Sequence, residues 1–565
     1  MSTRILRRTI AGAALAVALA SLPASPPIID SARAGDTGLT KYYENKVVGF
    51  HFRPLDGWAN LPPGTDPSDP KIGGFYSDAA KFDRTANKPS CDIYAFKQAS
   101  ESTASPGTGA EGKAPPKNEE EARAQAMDEM RTKTTKDVFN GRYGRFKQVT
   151  DAYLSKLDEK KKTQQTKHVK LTDPVEKELK VGDQVINTME ATVGIPMTNG
   201  RTEFLETVEI VAGWTHNDEY EIGLVFEIPG VNWEKYKQSV YASIASLDFL
   251  EGSDIAAARK DLEDALAGKS GDERWLAEIK KKVGPGWAYL QTKNYLLVYD
   301  QAVKPDRVKT IALQIEAIRK DVYEVLFPPD RPITAISVVR ICKDPQQYSS
   351  YGGPGGSAGY WNYVDQELVF YEDVSKKKDS LRVLNHEAFH QFIFYSVGSV
   401  SPHDWFNEGH GDFFAGYNYN SSGKFTPGKF TWRTGEIKNA IGTKKFIPLK
   451  TFVTYSHEQY YGPLIGQNYA QGWSMIWFLR TQPNPEWKGI LDTYFKVLKT
   501  EVTRWVDDQI ASKKKDGTYT DGWKPGKTPP DIEESSRNKA LAEAYSGWDD
   551  KKWDRFEKEW REYKY

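Results

Sequence analysis

Two histidines four residues apart, the first followed by a glutamate, stand at His386-Glu387-Ala388-Phe389-His390. The segment from Asp379 to Ile393 reads as a helix, with Asp379 or Ser380 as N-cap and Gly398 available as a stop. On a 3.6-residue period His386 and His390 lie one turn apart on the same face, so both imidazoles can reach one ion. Glu387 is rotated by about 100° from His386, beside such an ion rather than on it, where a base acting on water belongs. The competing reading is a surface helix with two unemployed histidines. A second motif weighs against it: Trp405-Phe406-Asn407-Glu408-Gly409-His410-Gly411-Asp412 begins soon after His390 and also reads as a helix. Pro402 in the intervening loop lets the chain reverse, which brings Glu408 against the first helix. Two imidazoles and a carboxylate complete three protein ligands and leave a fourth position for water, the open coordination of a catalytic zinc. Asp412, one turn after Glu408, is placed to accept the outer N–H of a ligating histidine.

Rival ligands exist. His410 is two residues from Glu408 and faces away from it on a helix, so the two cannot hold one ion without unwinding. His403, in the loop, remains the alternative third ligand, and as a closing fourth ligand it would make the site structural rather than catalytic. An oxyanion donor is harder to find among 30 tyrosines. Tyr469, expected to open a helix running to Arg480, is the candidate, with Tyr460, Tyr461 and His457 as alternatives.

The elements that must position these residues are legible. Ile311, Ile315, Ile318, Val322 and Val325 recur at spacings of three and four and place an apolar stripe on a helix ending before Pro328-Pro329. Strands are expected at Tyr295 to Tyr299, Ile333 to Ile341 and Glu367 to Tyr371, the last reached through a glycine-rich loop from Gly352 to Gly359. That loop lacks the Lys-Ser/Thr ending of a phosphate-binding loop. Further on, helical signal covers Trp487 to Val506, and Trp548, Trp553, Phe556 and Trp560 form an aromatic stripe read as core.

His386-Glu387-x-x-His390-Gln391 followed by Trp405-Phe406-Asn407-Glu408-Gly409, with Gly359-Tyr360-Trp361 and Tyr469-Ala470-Gln471-Gly472-Trp473, is similar to the gluzincins, and among them to the peptidase MA-like domains of bacterial exported proteins. The resemblance covers residues 285–565. It implies a zincin-like metallopeptidase domain holding one Zn2+ ion, with His386, His390 and Glu408 as ligands, Glu387 as general base and Asp412 behind a ligand. Gly411-Asp412 departs from the commoner pattern of such domains. The metzincin ligand set is absent, since Ile393 occupies its glycine position.

A chain of 565 residues exceeds what one core can serve, so several domains are expected. Residues 40–250 form a first unit. Its runs Val185 to Val193, Phe204 to Trp214 and Glu221 to Ile228 read as antiparallel strands, and Trp233 to Leu247 as a closing helix. With the opening Val47 to Phe52 and the Gly57-Trp58 turn, this unit loosely resembles the α/β sandwich of PsbP and Mog1-like proteins. A low-complexity loop occupies residues 101–118. Residues 251–283 read as a helical connector, and 284–565 as the metallopeptidase domain with a mixed sheet and a largely helical C-terminal half. The class is therefore α+β.

Arg4, Arg7 and Arg8, the apolar stretch Ile10 to Leu22 and Ala32-Arg33-Ala34 read as a signal peptide over residues 1–34, which predicts export to the periplasm, cell envelope or medium. No later segment is long enough for a membrane span. With 77 basic and 77 acidic residues, nothing draws a polyanion, so nucleic acid is not an expected partner; a peptide or protein substrate is. Only Cys91 and Cys342 occur, which excludes a cysteine-rich zinc site and suggests two separate buried thiols. The expected function is a zinc-dependent peptidase. The competing class is a non-catalytic zinc-containing binding protein of the cell envelope.

Overall fold

The computed structural model describes residues 38–66, 69–77, 89–98, 134–198, 203–250, 252–269, 271–330, 332–362, 365–373, 380–398, 400–420, 424–519 and 528–565. The predicted signal segment, the low-complexity loop and the capping residue Asp379 lie outside them.

Long β-branched and aromatic runs build the first half. Strands β1 (Tyr43–Asn45), β2 (Phe50–Phe52) and β10 (Asp248–Phe249) form a small sheet in the order β1-β2-β10. A larger antiparallel sheet joins β3 (Trp58–Leu61), β4 (Lys71–Ser77), β5 (Ser90–Lys97), β6 (Val175–Val181), β7 (Gln184–Thr198), β8 (Glu203–His216) and β9 (Tyr220–Pro229) in the order β3-β4-β5-β9-β8-β7-β6. Both faces of its centre are covered, which is why β9 reads as a nearly continuous apolar run. Ile222, Leu224, Phe226 and Ile228 pack with Val240 and Ile244 of helix Gly230–Ala245. Val225, with Val208, Ile210 and Ala212 of β8, packs against Phe139 and Phe146 of helix Thr135–Leu154 on the other face.

The connector is two helices, Ser253–Leu266 and Gly271–Lys282, rather than one. The second half contains a mixed sheet of β11 (Trp287–Gln291), β12 (Tyr295–Asp300), β13 (Ser337–Cys342), β14 (Gly359–Asn362) and β15 (Glu367–Tyr371), ordered β11-β12-β13-β15-β14. β12, β13 and β15 run parallel, whereas β11 and β14 are antiparallel edges. β13 begins at Ser337, not Ile333, because its parallel partners start opposite Ser337 and Val338 and the preceding residues have no strand to pair with.

The period of two divides this sheet between two cores. Leu297, Val339, Ile341, Leu368 and Phe370 face the helical core, which includes Ile311 and Ile315 of helix Pro305–Ile318 and Leu384 and Phe392 of helix Ser380–Val397. A π-turn, Arg319–Tyr323, follows the first of these helices. Leu296, Val298, Val338, Cys342 and Val369 face the other way, onto Leu61 and Tyr76 of the first sheet and Leu276 and Ile279 of the connector. The two halves thus share a core. Cys91 and Cys342 are free, buried and in different cores. Trp553, Phe556 and Trp560 of helix Asp550–Glu562 are buried in the helical core, the role expected of the aromatic stripe. Among the described residues no helix is long and apolar enough to cross a membrane.

Candidate metal centre

Helix Ser380–Val397 ends at Gly398, whose φ of 95° lies in the left-handed region open to glycine. The chain reverses and enters helix Asp404–Ala415. The close approach of the second helix depends on absent side chains. A Cβ on Gly411 would stand 2.7 Å from His386 Cε1, and one on Gly409 would stand 2.7 Å from the Gly472 carbonyl oxygen of helix Ile465–Thr481. Gly411 therefore lets backbone lie directly on an imidazole.

This packing brings one ligand atom each of His386, His390 and Glu408 within 4.8 Å of one another. His386 Nε2 is 3.1 Å and His390 Nε2 3.5 Å from the same Glu408 oxygen, Oε2. The outer nitrogens have other partners: His386 Nδ1 lies 3.2 Å from Asp412 Oδ1, and His390 Nδ1 lies 3.0 Å from Asn407 Oδ1. Both acceptors hold the ring proton on Nδ1, leaving Nε2 of each histidine directed at the shared centre. The donor set fits zinc: two imidazole nitrogens, one carboxylate oxygen, and an acceptor fixing each tautomer.

Electrostatics follow the same convergence. Burial opposes charge on His386, but hydrogen bonds to Asp412 and Glu408 raise its pKa well above the ordinary value. Burial likewise opposes ionised Glu408, yet His390 and His386 bring its pKa well below the carboxylate range. Glu387 differs: burial raises its pKa, only partly offset by His386 and His390. Its carboxylate accepts a hydrogen bond from the Trp361 backbone on edge strand β14. Gly359 of that strand has room for no side chain, since a Cβ there would stand 2.7 Å from Val383 Cγ1 and 3.1 Å from Glu387 Cγ.

The rival histidines stand outside the group. His410 is fully buried; its Nδ1–H donates to the Phe406 carbonyl at 2.8 Å and its Nε2 faces the Arg480 guanidinium at 3.2 Å. It is a packed, neutral histidine. His403 accepts the Tyr494 hydroxyl at Nδ1, 2.8 Å away, while its own backbone N–H donates to that oxygen at 2.9 Å. Burial and the nearby Arg537 push its pKa down to about 4. Because the unfolded chain protonates His403 near its ordinary value, the stability this group contributes is complete above that value and is lost as pH falls toward 4. In His403→Gln the melting temperature should therefore fall less than in wild type between about pH 7 and about pH 4.5. Equal falls in calorimetric scans of both proteins would contradict this assignment.

Tyr469 lies in the second turn of helix Ile465–Thr481 rather than at its start. Its ring stacks on His386 at 6.4 Å between centroids, and the Arg433 guanidinium covers it at 4.8 Å. The Tyr469 hydroxyl donates to the Tyr461 hydroxyl at 3.4 Å, which in turn donates to Glu408 Oε1 at 2.8 Å. Tyr460 is fully buried, and His457 is an exposed partner of Asp404 at 3.2 Å.

Sequence reasoning missed Asn407 and Arg433. Asn407 precedes Glu408 and turns about 100° from it, toward the second histidine, so its helical position was a usable signal. Arg433, whose Nε donates to Asp412 Oδ2 at 2.6 Å, comes from a separate helix, Thr431–Gly442, and no spacing announces it. Asn407→Ala should weaken zinc binding about 10- to 100-fold through loss of the His390 tautomer lock. Competition with a chromophoric chelator measures this, and unchanged affinity would remove Asn407 from the site.

No protein-family model and no curated protein matches this chain. Among solved structures, the solution structure of cyanobacterial PsbP from Synechocystis is similar at 15% identity with a TM-score of 0.21, covering 39% of this chain and 97% of that one, a likeness too slight to assign fold or role.

Proposed function

We propose that the chain is an exported zinc-dependent peptidase that hydrolyses peptide bonds at the His386, His390 and Glu408 centre. The observation that carries this reading is the division of labour between the two glutamates, Glu387 and Glu408. Glu408 joins the two histidines in the ligand group, whereas Glu387 stays outside it with its proton affinity raised by burial. Zinc, when bound, would supply Lewis acidity that activates water and polarises a carbonyl.

The chain's own groups do the rest. Glu387, oriented by the Trp361 backbone, takes a proton from the attacking water and returns it to the leaving amine nitrogen. Burial raises the pKa of the Tyr461 and Tyr469 phenols, so both stay protonated and can donate to the developing oxyanion. Asp412 and Asn407 hold the ligand rings, and Arg433 holds Asp412. A peptide suits the setting because β14 is an edge strand beside the base, and an edge presents main-chain groups with which an extended chain can pair.

The test measures bound metal by plasma mass spectrometry and cleavage of a diverse quenched-peptide library. One zinc per chain is expected, with cleavage abolished by chelation and restored by added zinc. A chain that holds stoichiometric zinc but cleaves nothing in the library would be a binding protein instead.

A further inference from the structure

A polar cavity of about 460 Å³ lies away from the metal centre, where the first sheet meets the second half of the chain. Its volume is in the range of small-molecule sites. One wall comes from β4, β5, β9 and helix Thr135–Leu154, which supply Lys71, Asp92, Glu227, Arg142 and Arg145. The opposite wall is Ser349 to Gly352, the end of helix Pro345–Tyr351 and the start of the glycine-rich loop.

Three basic and two acidic side chains line the cavity, and the Asp69 carboxylate stands close enough to Lys71 to feel its charge. Asp92 is engaged by Lys71 Nζ at 2.9 Å and by Arg142, and Glu227 by Arg142 at 2.6 Å. Arg142 also donates to the Tyr94 hydroxyl at 2.6 Å. These side chains are largely buried, and both carboxylates are already shared among two cations. Arg145 adds a third. Its guanidinium rests on the Phe146 ring at 5.3 Å and has no carboxylate partner among the described residues. Arg145 is solvent-exposed and lines the cavity, so its guanidinium is open to an incoming anion. Hydroxyls of Ser90 on one wall and of Ser349 and Ser350 on the other add donors for an oxyanion.

We propose that this cavity binds a small organic anion of the carboxylate or phosphate-ester class, held between Lys71, Arg142 and Arg145 and the Ser349–Ser350 hydroxyls. Occupancy would be felt at the metal centre. The ligand would touch Gly352, which begins the loop ending at Gly359, and Gly359 packs on Val383 and Glu387. Tyr348 fastens the middle of that loop through a 2.6 Å hydrogen bond between its hydroxyl and that of Ser357.

The experiment is calorimetric titration of the full mature chain with citrate and, separately, inorganic phosphate, at constant ionic strength set by chloride, with glycerol as the uncharged control. Saturable binding of at least one anion is expected, weakened about tenfold or more in Arg145→Ala and largely kept in Arg145→Lys. The stronger of the two arms tells carboxylate from phosphate chemistry. Failure of both anions to bind saturably, or equal binding by Arg145→Ala, would overturn the site. Hydrogen exchange over 352–359 should slow on binding; unchanged exchange would overturn the link to the centre. Neither readout needs metal or turnover, so the result stands apart from the peptidase reading.

Discussion

Glu387→Gln is expected to retain zinc and to lose roughly 10²- to 10⁴-fold in kcat, the usual contribution of a positioned general base. The substitution keeps the shape of the side chain and an oxygen that can accept the Trp361 backbone hydrogen bond, so the fold and the ligand group stay as they are. What disappears is the capacity to take a proton. Single-turnover cleavage together with metal analysis checks both halves of the expectation. A variant with wild-type kcat would show that another group serves as base, and one that lost its metal would show that Glu387 is part of the ligand set.

Glu408→Ala should act at the other end of the mechanism, lowering zinc affinity by well over about 100-fold, more than loss of a residue behind a ligand costs. Glu408 is the only acid in the ligand group, and both imidazoles point at the same one of its oxygens. Removing it leaves a half-buried and a buried histidine facing each other at 4.7 Å between ring centroids, with no carboxylate of Glu408 to favour their convergence. Tyr461 loses its acceptor at the same time. His403→Ala, by contrast, should keep its zinc, because that ring is committed to Tyr494. Equilibrium dialysis of the two variants distinguishes the assignments; zinc retained without Glu408, or lost without His403, would reverse them.

Much of this centre was legible because a helix turns spacing into direction. His386, Glu387 and His390 needed only the 3.6-residue period, and Glu408 and Asp412 needed that period again on the next helix. The same logic, carried one residue back, would have found Asn407. Arg433 is another matter: it reaches Asp412 from a helix 21 residues further on, and only the tertiary fold puts it there. The start of β13 was misread because Ile333, Thr334 and Ile336 are β-branched and strand-like, while pairing depends on where neighbouring strands begin. Tyr469 was placed on the right helix but one turn too early, since Leu464, which precedes the helix, offers no capping side chain to mark its start.

The seam between the two halves is held by groups far apart in sequence. The indole N–H groups of Trp275 and Trp287 donate to the main-chain oxygens of Thr65 and Asn60, Arg340 donates to that of Pro63, and Gln346 to that of Ser77. Arg340, itself paired with Glu367 at 2.7 Å, is only 2% exposed, and the apolar faces around it close one common core. Chain continuity is therefore not what keeps the halves together. A protease cutting once between helices Ser253–Leu266 and Gly271–Lys282 would leave two fragments that still travel as one particle. Such a nick would show on a denaturing gel and not in the hydrodynamic size.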